Sequence, residues 1–423
     1  MSIKVNIKDL TNDSIKKIQD ELIIKIENKF GFGEPKYIYP YTMENNSVQL
    51  PFTYAVQNLQ IKRPLRTIFP QINLKFEGTL LDEQKIIYKE ALNNLSKNGS
   101  IMISCYPGFG KTCLAINLSI NIGFKTLIIV NKIVLIKQWQ ESILKFCKTA
   151  TIQILSPKSK KEDVDFYIIN AQNVEKMYNF FFLDIGNVIV DEAHMIMAET
   201  LSRSLKYIYP RYLIGLTATP YRPDGLDILL DFYFGTYKII RKLHREHIVY
   251  KISTNFKPPI EKTIQGKINW NSILDFQANN EERNNLIIKI IQKFKDRNFL
   301  VLVKRVEQGK YLINELEKIG ESVTNLIGKN QEFDKDARIL VGTCQKVGVG
   351  FDHSKLDSLI LATDLEEYFI QYLGRIFRTK IGIPLIFDFV DKNNILEKHY
   401  KTRLEIYKNH GGIIKDFDII KLK

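Results

Sequence analysis

Short apolar runs alternate with helix-length segments over most of this chain of 423 residues. Between about 80 and 240, the runs predicted to form strands are 101–104, 126–130, 166–169, 188–190 and 212–216. A second series contains predicted strands at 299–303, 338–341, 359–361 and 385–389. Short, continuously apolar strands separated by helices are typical of a parallel sheet that is covered on both faces. We therefore predict an α/β chain with two such lobes in series.

The pattern divides the chain into an N-terminal accessory region at 1–78, a first lobe at 79–240, a linker at 241–275 and a second lobe at 276–423. In the accessory region, one helical face is predicted from the spacing of Ile15, Ile18, Leu22, Ile26 and Phe30. The aromatic stretch that follows indicates short strands and turns. We expect this region to pack on the first lobe or to guide the substrate to it, rather than to act as an independent module.

A glycine-bearing turn lies between the predicted strand at 101–104 and a predicted helix. Its sequence, CYPGFGKT, consists of Cys105, Tyr106, Pro107, Gly108, Phe109, Gly110, Lys111 and Thr112. Strand, turn, Lys-Thr and helix together are the context that a phosphate-binding loop requires. Its N–H groups attract phosphate oxygens, Lys111 reaches the β- and γ-phosphates, and Thr112 ligates Mg2+. The sequence therefore predicts an ATP site, although the strict pattern has Gly in place of Cys105.

Two carboxylates follow the predicted strand at 188–190, in the sequence Asp191-Glu192-Ala193-His194. The carboxyl edge of a parallel sheet is where ligands bind in such folds. We predict that Asp191 holds Mg2+ and that Glu192 orients or activates the attacking water. His194 is predicted to sense the γ-phosphate or to contact the other lobe. Acidic residues also favour the first turn of a solvated helix, but the position after a buried strand favours the catalytic interpretation.

The composition is that of an ordinary globular protein with a strongly basic balance. A net charge of +14 is compatible with a polyanionic partner but does not identify nucleic acid by itself. No apolar stretch has the length of a membrane span, so we expect a soluble, intracellular protein without membrane association. The four cysteines are far apart and form no C-x-x-C pair. This spacing predicts free buried thiols rather than a disulfide framework or a zinc site.

The order of these motifs resembles that of superfamily-2 helicases over roughly residues 80–390. In the first lobe, Gln84 resembles the family's adenine-reading glutamine. The segments TLIIVNKIVLIKQW and IINAQNV resemble motifs that contact the nucleic-acid backbone, which assigns that role to Asn131, Lys132, Asn170 and Gln172. LTATPYR resembles the motif that couples ATP to the strand, with Thr217, Ala218 and Thr219.

Further motifs of the same family occur in the second lobe. FLVLVKRVEQ and VGTCQKVGVGFD resemble motifs that place Lys304 and Thr343 near nucleic acid and Gly350 and Asp352 near the nucleotide. QYLGRIFR resembles the QxxGRxxR motif and assigns a coupling role to Gln371. Arg375 and Arg378 of that motif would act on the γ-phosphate, because a planar guanidinium spreads charge over phosphate oxygens.

The resemblance implies two tandem RecA-like lobes with ATP and Mg2+ as cofactors. DEAH, TATP and QYLGR differ from the patterns of DEAD-box RNA helicases and favour DNA-type motors of the XPB, UvsW and RecG neighbourhood. The poxviral transcript-release helicase and its relatives in large cytoplasmic DNA viruses are similar. This implies a viral, monomeric motor with 3′→5′ polarity that acts in transcription or repair, located in the host cytoplasm or the virion, with the transcription machinery as a partner.

Two alternatives to a DNA motor remain open at the level of the sequence. One is an RNA helicase that acts on transcripts. The other belongs to a different class, a nucleotide-dependent adaptor that binds duplex without translocation. ATPase stimulation by DNA and RNA separates the first from the DNA motor, and a triplex-displacement assay separates the second.

Overall fold

The computed structural model describes residues 1–26, 36–197, 205–220, 226–348, 353, 355–365, 369–378 and 382–418. The chain forms two compact units, Met1–Arg241 and Lys242–Lys423, and each is described by itself. Among the described residues, no helix combines the length and the apolar character needed to cross a bilayer. All four cysteines are free; Cys105, Cys147 and Cys344 are buried as predicted, whereas Cys113 is half-buried.

Within its described residues, the N-terminal region contains one α-helix and five short strands. The helix α1 covers Asn12–Glu21, and the strands are β1 (Ser2–Asn6), β2 (Ile24–Ile26), β3 (Lys36–Ile38), β4 (Thr42–Glu44) and β5 (Ser47–Pro51). Strands β1, β5 and β4 form an antiparallel sheet, and β2 pairs with β3. The helical face predicted to reach Phe30 is wrong beyond Glu21, because the isoleucine-rich segment of β2 pairs in a sheet, which suits β-branched residues. Phe30 itself lies outside the described residues.

This region packs on the larger part of the first unit. The N–H group of Ser2 donates to the carbonyl oxygen of Ile208 at 2.9 Å. The hydroxyl of Thr53 donates to the carbonyl oxygen of Tyr233 at 2.6 Å. Apolar side chains from β1 and β5 share one continuous core with those of the parallel sheet that follows. The N-terminal residues therefore belong to the first unit.

A seven-stranded parallel sheet forms the centre of the first unit. Its strands are β6 (Ser100–Cys105), β7 (Thr126–Val130), β8 (Ile152–Leu155), β9 (Phe166–Asn170), β10 (Asn187–Asp191), β11 (Tyr212–Thr217) and β12 (Lys238–Arg241), in the order β12-β6-β11-β10-β7-β9-β8. The described helices are α2 (Asp82–Asn98), α3 (Lys111–Ile122), α4 (Ile133–Phe146), α5 (Ala171–Val174), α6 (Ala193–Ile196) and α7 (Asp227–Phe234). Strands β6 and β10, which carry the two predicted ATP motifs, both pair with β11.

The second unit contains another seven-stranded parallel sheet, in the order β15-β16-β14-β17-β18-β13-β19. Its strands are β13 (His247–Ser253), β14 (Phe299–Val303), β15 (Val323–Leu326), β16 (Ile339–Thr343), β17 (Ser358–Leu361), β18 (Leu385–Val390) and β19 (Gly412–Asp416). The described helices are α8 (Trp270–Asn279), α9 (Glu281–Lys293), α10 (Val306–Lys318), α11 (Cys344–Val347), α12 (Phe369–Ile376) and α13 (Asn394–Asn409). The predicted fold class, two tandem RecA-like lobes with a small N-terminal region, is confirmed.

The segment interpreted as a linker, 241–275, contains strand β13 of the second sheet. β13 pairs with both β18 and β19, so it lies inside the sheet rather than between two lobes. Its sequence, HIVYKIS, mixes buried and half-buried positions and includes a lysine. The strand therefore lacks the continuously apolar run by which the other strands were predicted.

Candidate nucleotide site

The predicted phosphate-binding loop, 106–110, joins the carboxyl end of β6 to the first turn of α3. Gly108 and Gly110 have φ angles of +87° and +90°, in the left-handed region that favours glycine. A Cβ atom added to Gly110 would lie 2.5 Å from the Nε2 atom of Gln84, so the space is also closed to a larger residue. The loop conformation therefore depends on these two glycines.

Gln84, predicted to read adenine, lies against this loop and is buried. Its Nε2 atom donates to the carbonyl oxygen of Phe109 at 2.7 Å. Its Oε1 atom accepts a hydrogen bond from the N–H group of Leu81 at 2.9 Å. The side chain thus ties the start of α2 to the loop, and each end of its amide keeps a further donor or acceptor for a ligand.

Lys111 begins α3 and turns its ammonium group back toward the loop. Its Nζ atom donates to the carbonyl oxygen of Cys105 at 2.7 Å and lies 3.4 Å from that of Tyr106. A flexible lysine stem can exchange these carbonyl oxygens for phosphate oxygens without displacement of the helix. Thr112 follows in the first turn, and Pro107 lies in the loop. Burial raises the pKa of the Cys105 thiol to about 11, so this residue serves as a small neutral side chain.

Asp191 ends β10 and is fixed at both carboxylate oxygens. Its Oδ2 atom accepts a hydrogen bond from the Trp139 indole N–H group at 2.8 Å. Its Oδ1 atom accepts one from the backbone N–H group of Glu192 at 3.0 Å. Burial and then the charge of Glu192 raise the pKa of Asp191 to about 6, against the effects of the Trp139 hydrogen bond and the Lys111 charge. This carboxylate is therefore oriented but not neutralised by a paired cation in the described part of the chain.

Glu192 adopts a strained backbone conformation at the turn after β10. Its φ and ψ angles are both 50°, in the left-handed region that costs a non-glycine residue roughly 1–2 kcal/mol. Its Oε2 atom lies 3.5 Å from the Nδ1 atom of the buried His194. Such strain persists where the surrounding structure imposes it, and it is concentrated at functional sites.

His194 connects this carboxylate to the predicted coupling motif. The His194 Nδ1 atom lies 2.7 Å from the hydroxyl oxygen of Thr217. That hydroxyl donates to the carbonyl oxygen of Thr219 at 2.9 Å and accepts from the Thr219 N–H group at 3.0 Å. Because the hydroxyl proton is used by Thr219, Nδ1 is the donor to Thr217. Ala218 is the half-buried residue between the two threonines. Contacts therefore join Glu192 and His194 to Thr217 and Thr219 in one cluster.

The residues of the first lobe predicted to contact nucleic acid fall into two short segments after strands. Asn131 and Lys132 follow β7, and burial lowers the pKa of Lys132 although the charge of Glu192 opposes this effect. Asn170 is buried and its Oδ1 atom accepts from the N–H group of Gln172 at 3.0 Å, so it caps α5. Gln172 is exposed. Lys132 therefore lies within electrostatic reach of a predicted catalytic residue.

The second lobe presents its predicted site residues at the carboxyl ends of β14 and β16 and along α12. Lys304 follows β14 and is exposed, and Thr343 ends β16 and precedes α11. In the QxxGRxxR motif, 371–378, Gln371 and Arg375 are buried on α12, and Arg378 follows that helix and is half-buried. The Arg375 Nη2 atom donates to the carbonyl oxygen of Gly348 at 3.2 Å. Gly350 and Asp352 lie outside the described residues.

Two contacts in these sites were missed by the sequence interpretation. The sequence interpretation assigned no role to Trp139, yet its indole N–H group donates to Asp191. The Tyr372 hydroxyl donates to the carbonyl oxygen of Cys344 at 2.9 Å and joins the two motifs of the second lobe. Both are aromatic residues with a polar atom that needs a partner when buried. That need is visible in a sequence, but the identity of the partner is not.

The donor chemistry of the first-lobe site fits Mg2+. Asp191 offers a carboxylate and Thr112 a hydroxyl, and hard oxygen atoms of this kind are the ligands that Mg2+ prefers. One or two protein oxygens are sufficient because substrate phosphates and waters supply the others. The raised pKa of Asp191 shows that its charged form is disfavoured by burial, and a bound cation would stabilise that form.

The chain is similar to a family model and to solved structures with the same fold. The model described as "Type III restriction enzyme, res subunit" matches residues 77–222. The structure of S. cerevisiae Dbp5 bound to RNA and ADP BeF3 has a TM-score of 0.56 at 14% identity, over 79% of this chain and 93% of that chain. The structure of Mycobacterium smegmatis helicase Lhr bound to ssDNA and AMP-PNP has a TM-score of 0.53 at 15% identity, over 79% of this chain and 50% of that chain.

A relative among curated proteins extends over nearly the whole chain. "Putative helicase 161L" of Invertebrate iridescent virus 6 is 45% identical over 446 aligned residues, which cover 99% of this chain and 100% of that protein. The structures support the two-lobed fold, and this relative shows the family. The chain belongs to the superfamily-2 helicase family of viruses that includes "Putative helicase 161L".

Proposed function

We propose that this protein is a nucleic-acid-stimulated ATPase that uses Mg2+ and ATP to move along or unwind nucleic acid, with DNA as the favoured track. The observation that carries the proposal is Asp191, a buried carboxylate with a raised pKa, held at the sheet edge that also carries the phosphate loop. A buried carboxylate without a paired cation is costly. It is expected where a ligand brings the cation.

The proposed roles follow from the positions of these side chains. The N–H groups of the loop cradle the phosphates, and Lys111 turns from the Cys105 carbonyl oxygen to the β- and γ-phosphates. When bound, Mg2+ neutralises charge on the phosphate oxygens. Glu192 holds the attacking water. His194 relays the state of the Glu192 carboxylate to Thr217 of the coupling motif. Gln84 reads the base.

The second lobe contributes to the proposal through its motifs. Arg375 and Arg378 act on the γ-phosphate, since guanidinium groups match its oxygens in geometry and charge. Gly350 and Asp352 serve the nucleotide, and Gln371 couples the two activities. Lys304, Thr343 and the first-lobe residues Asn131, Lys132, Asn170 and Gln172 hold the nucleic-acid backbone. Binding should therefore weaken as salt concentration rises.

The DNA preference, the 3′→5′ polarity and the XPB- and UvsW-like branch rest on the motif resemblance. Proteins of this fold bind different nucleic acids: Dbp5 is bound to RNA and Lhr to ssDNA in their structures. The RNA helicase therefore remains the competing function, and a duplex-binding adaptor the alternative of another class.

The test is ATP hydrolysis by the purified protein with no polynucleotide, with single-stranded DNA, with duplex DNA and with RNA. We expect stimulation that is largest with DNA. Lys111→Ala should abolish turnover, and Glu192→Gln should keep ATP binding but block hydrolysis, since it retains the shape of the side chain without its charge. Equal hydrolysis in all four conditions would refute the motor. Strand displacement on duplexes with 3′ and 5′ tails then tests polarity.

A further inference from the structure

Trp139 is the one large aromatic residue on α4 that donates a hydrogen bond to a predicted catalytic carboxylate in the described structure. Its side chain is 1% exposed, and its indole N–H group reaches the Asp191 Oδ2 atom at 2.8 Å. From this contact we infer that Trp139 is a positioning residue that sets the Asp191 carboxylate and transmits nucleic-acid binding at the start of α4 to the ATP site. The inference rests on the proposed function and names the route of its regulation.

The indole contact restricts the direction in which Asp191 presents its oxygens. The Glu192 N–H group holds Oδ1 and Trp139 holds Oδ2, so the carboxylate plane cannot rotate without loss of a buried hydrogen bond. Each oxygen still has a second lone pair for a ligand. Such outer contacts orient a metal ligand, and their removal typically weakens metal binding about 10–100-fold.

The residue before the same helix carries a charge that interacts with the second carboxylate of the pair. Lys132 is the residue before α4, and its half-buried ammonium lies within the electrostatic influence of Glu192. Trp139 lies seven positions after Lys132, a distance of roughly 10 Å along a helix. The start of α4 thus carries a group that senses Glu192, and its interior carries a group that holds Asp191.

A regular helix transmits a displacement at its first turn to its interior, because its hydrogen bonds make it a rigid element. Asn131 and Lys132 are the proposed contacts with the nucleic-acid backbone. A phosphate beside Lys132 competes with Glu192 for its charge and shifts the start of α4. The Trp139 indole then moves relative to Asp191, which changes the metal site. This sequence of contacts explains how occupation of the track stimulates the ATPase.

The chain contains two tryptophans, Trp139 in the first unit and Trp270 in the second, so each can be observed alone. In the Trp270→Phe variant, we expect Mg2+ with ADP to shift the emission maximum of Trp139, and single-stranded DNA or RNA to shift it further. ADP with EDTA should give a smaller shift. If calorimetry shows that nucleotide and polynucleotide bind while the emission of Trp139 stays constant, the inference is overturned.

The Trp139→Phe variant retains an aromatic ring and removes the N–H group. We expect the Mg2+ concentration for half-maximal ATPase to rise about tenfold and the stimulation by polynucleotide to fall, with polynucleotide affinity unchanged. Trp270→Phe is the matched control and should behave as the wild type. A wild type without stimulation refutes the proposed function, whereas normal stimulation and normal Mg2+ dependence in Trp139→Phe refute only the inference. If Trp139→Phe does not fold, the emission experiment decides.

Discussion

Buried carboxylates have opposite kinds of partners in the two parallel sheets of the molecule. In the first sheet, Asp191 accepts hydrogen bonds from the Trp139 indole N–H group and the Glu192 backbone N–H group. It forms no ion pair with any residue that the structure describes. In the second, Arg403 binds both oxygens of Asp388, at 2.8 and 2.9 Å, and reaches Asp364 at 3.0 Å. The Nδ1 atom of His399 lies 2.5 Å from Asp364.

The pKa values of Asp191 and Asp364 follow their partners. Burial raises the pKa of Asp191 to about 6. Burial acts on Asp364 in the same direction, but the hydrogen bond from His399 and the charge of Arg403 hold its pKa below the usual value. A buried carboxylate that is paired with a cation stabilises one arrangement of the chain. A buried carboxylate without such a pair is costly in its charged form and is stabilised when a ligand brings a cation. Position in a sheet therefore does not identify a catalytic carboxylate, but the lack of a cationic partner does favour one.

The largest expected effect is the loss of activity on substitution of the unpaired carboxylate. Asp191→Asn keeps the size of the side chain and removes the charge that the metal requires. We expect ATPase activity to fall on the order of 1,000-fold, with little loss of stability, because several kcal/mol of transition-state stabilisation depend on the ion. Asp388→Asn is the matched control and should destabilise the second unit, since it leaves the buried Arg403 guanidinium incompletely paired. Similar stability losses in both variants would contradict the comparison.

A smaller effect is expected from the cation that pairs with the second set of carboxylates. Arg403→Ala leaves Asp364 and Asp388 buried with fewer partners, and we expect the second unit to lose about 3 kcal/mol of unfolding free energy. Urea unfolding can be followed by Trp270 emission in a Trp139→Phe background. Lys318→Ala removes an exposed pair with Glu315 and should cost less than about 1 kcal/mol. If Arg403→Ala also lost less than about 1 kcal/mol of unfolding free energy, the buried ion pairs would contribute little to stability.

The sequence predicted the parts of the fold that are encoded locally. The strands at 126–130 and 299–303 have the predicted bounds, because continuously apolar residues are required where both faces of a sheet are covered. Strand β13 was missed because it carries polar residues, and its place depends on pairing with β18 and β19. The helix predicted from 15 onward was too long because apolar spacing also fits the strand β2.

The candidate site was predictable where a motif has fixed spacing, as in the phosphate loop and its following helix. The contact between Trp139 and Asp191 joins residues 52 positions apart in sequence, and no local pattern specifies it. The motif marks Asp191 as a candidate, but the partners of Asp191 and Asp388 cannot be read from their strands, which are both apolar. Asp388 is paired by Arg403, which lies on the helix α13 and is 15 residues away in sequence.

The smallest expected effect is a difference in how stability depends on pH. The pKa of Asp191 is about 6 in the folded protein and its ordinary value is 3.8, so the folded state binds more protons between these values. Asp191 therefore makes the first unit more stable as pH falls, by about 1 kcal/mol between pH 7.5 and 5. Asp191→Asn should lack this gain in urea unfolding followed by Trp139 emission in a Trp270→Phe background. Asp364 has a lowered pKa, so its contribution is present above about pH 4 and is lost below that value. Equal pH dependence of the unfolding free energy in Asp191→Asn and its parent would show that folding does not raise the pKa of Asp191. The contrast between the two sheets would then be lost.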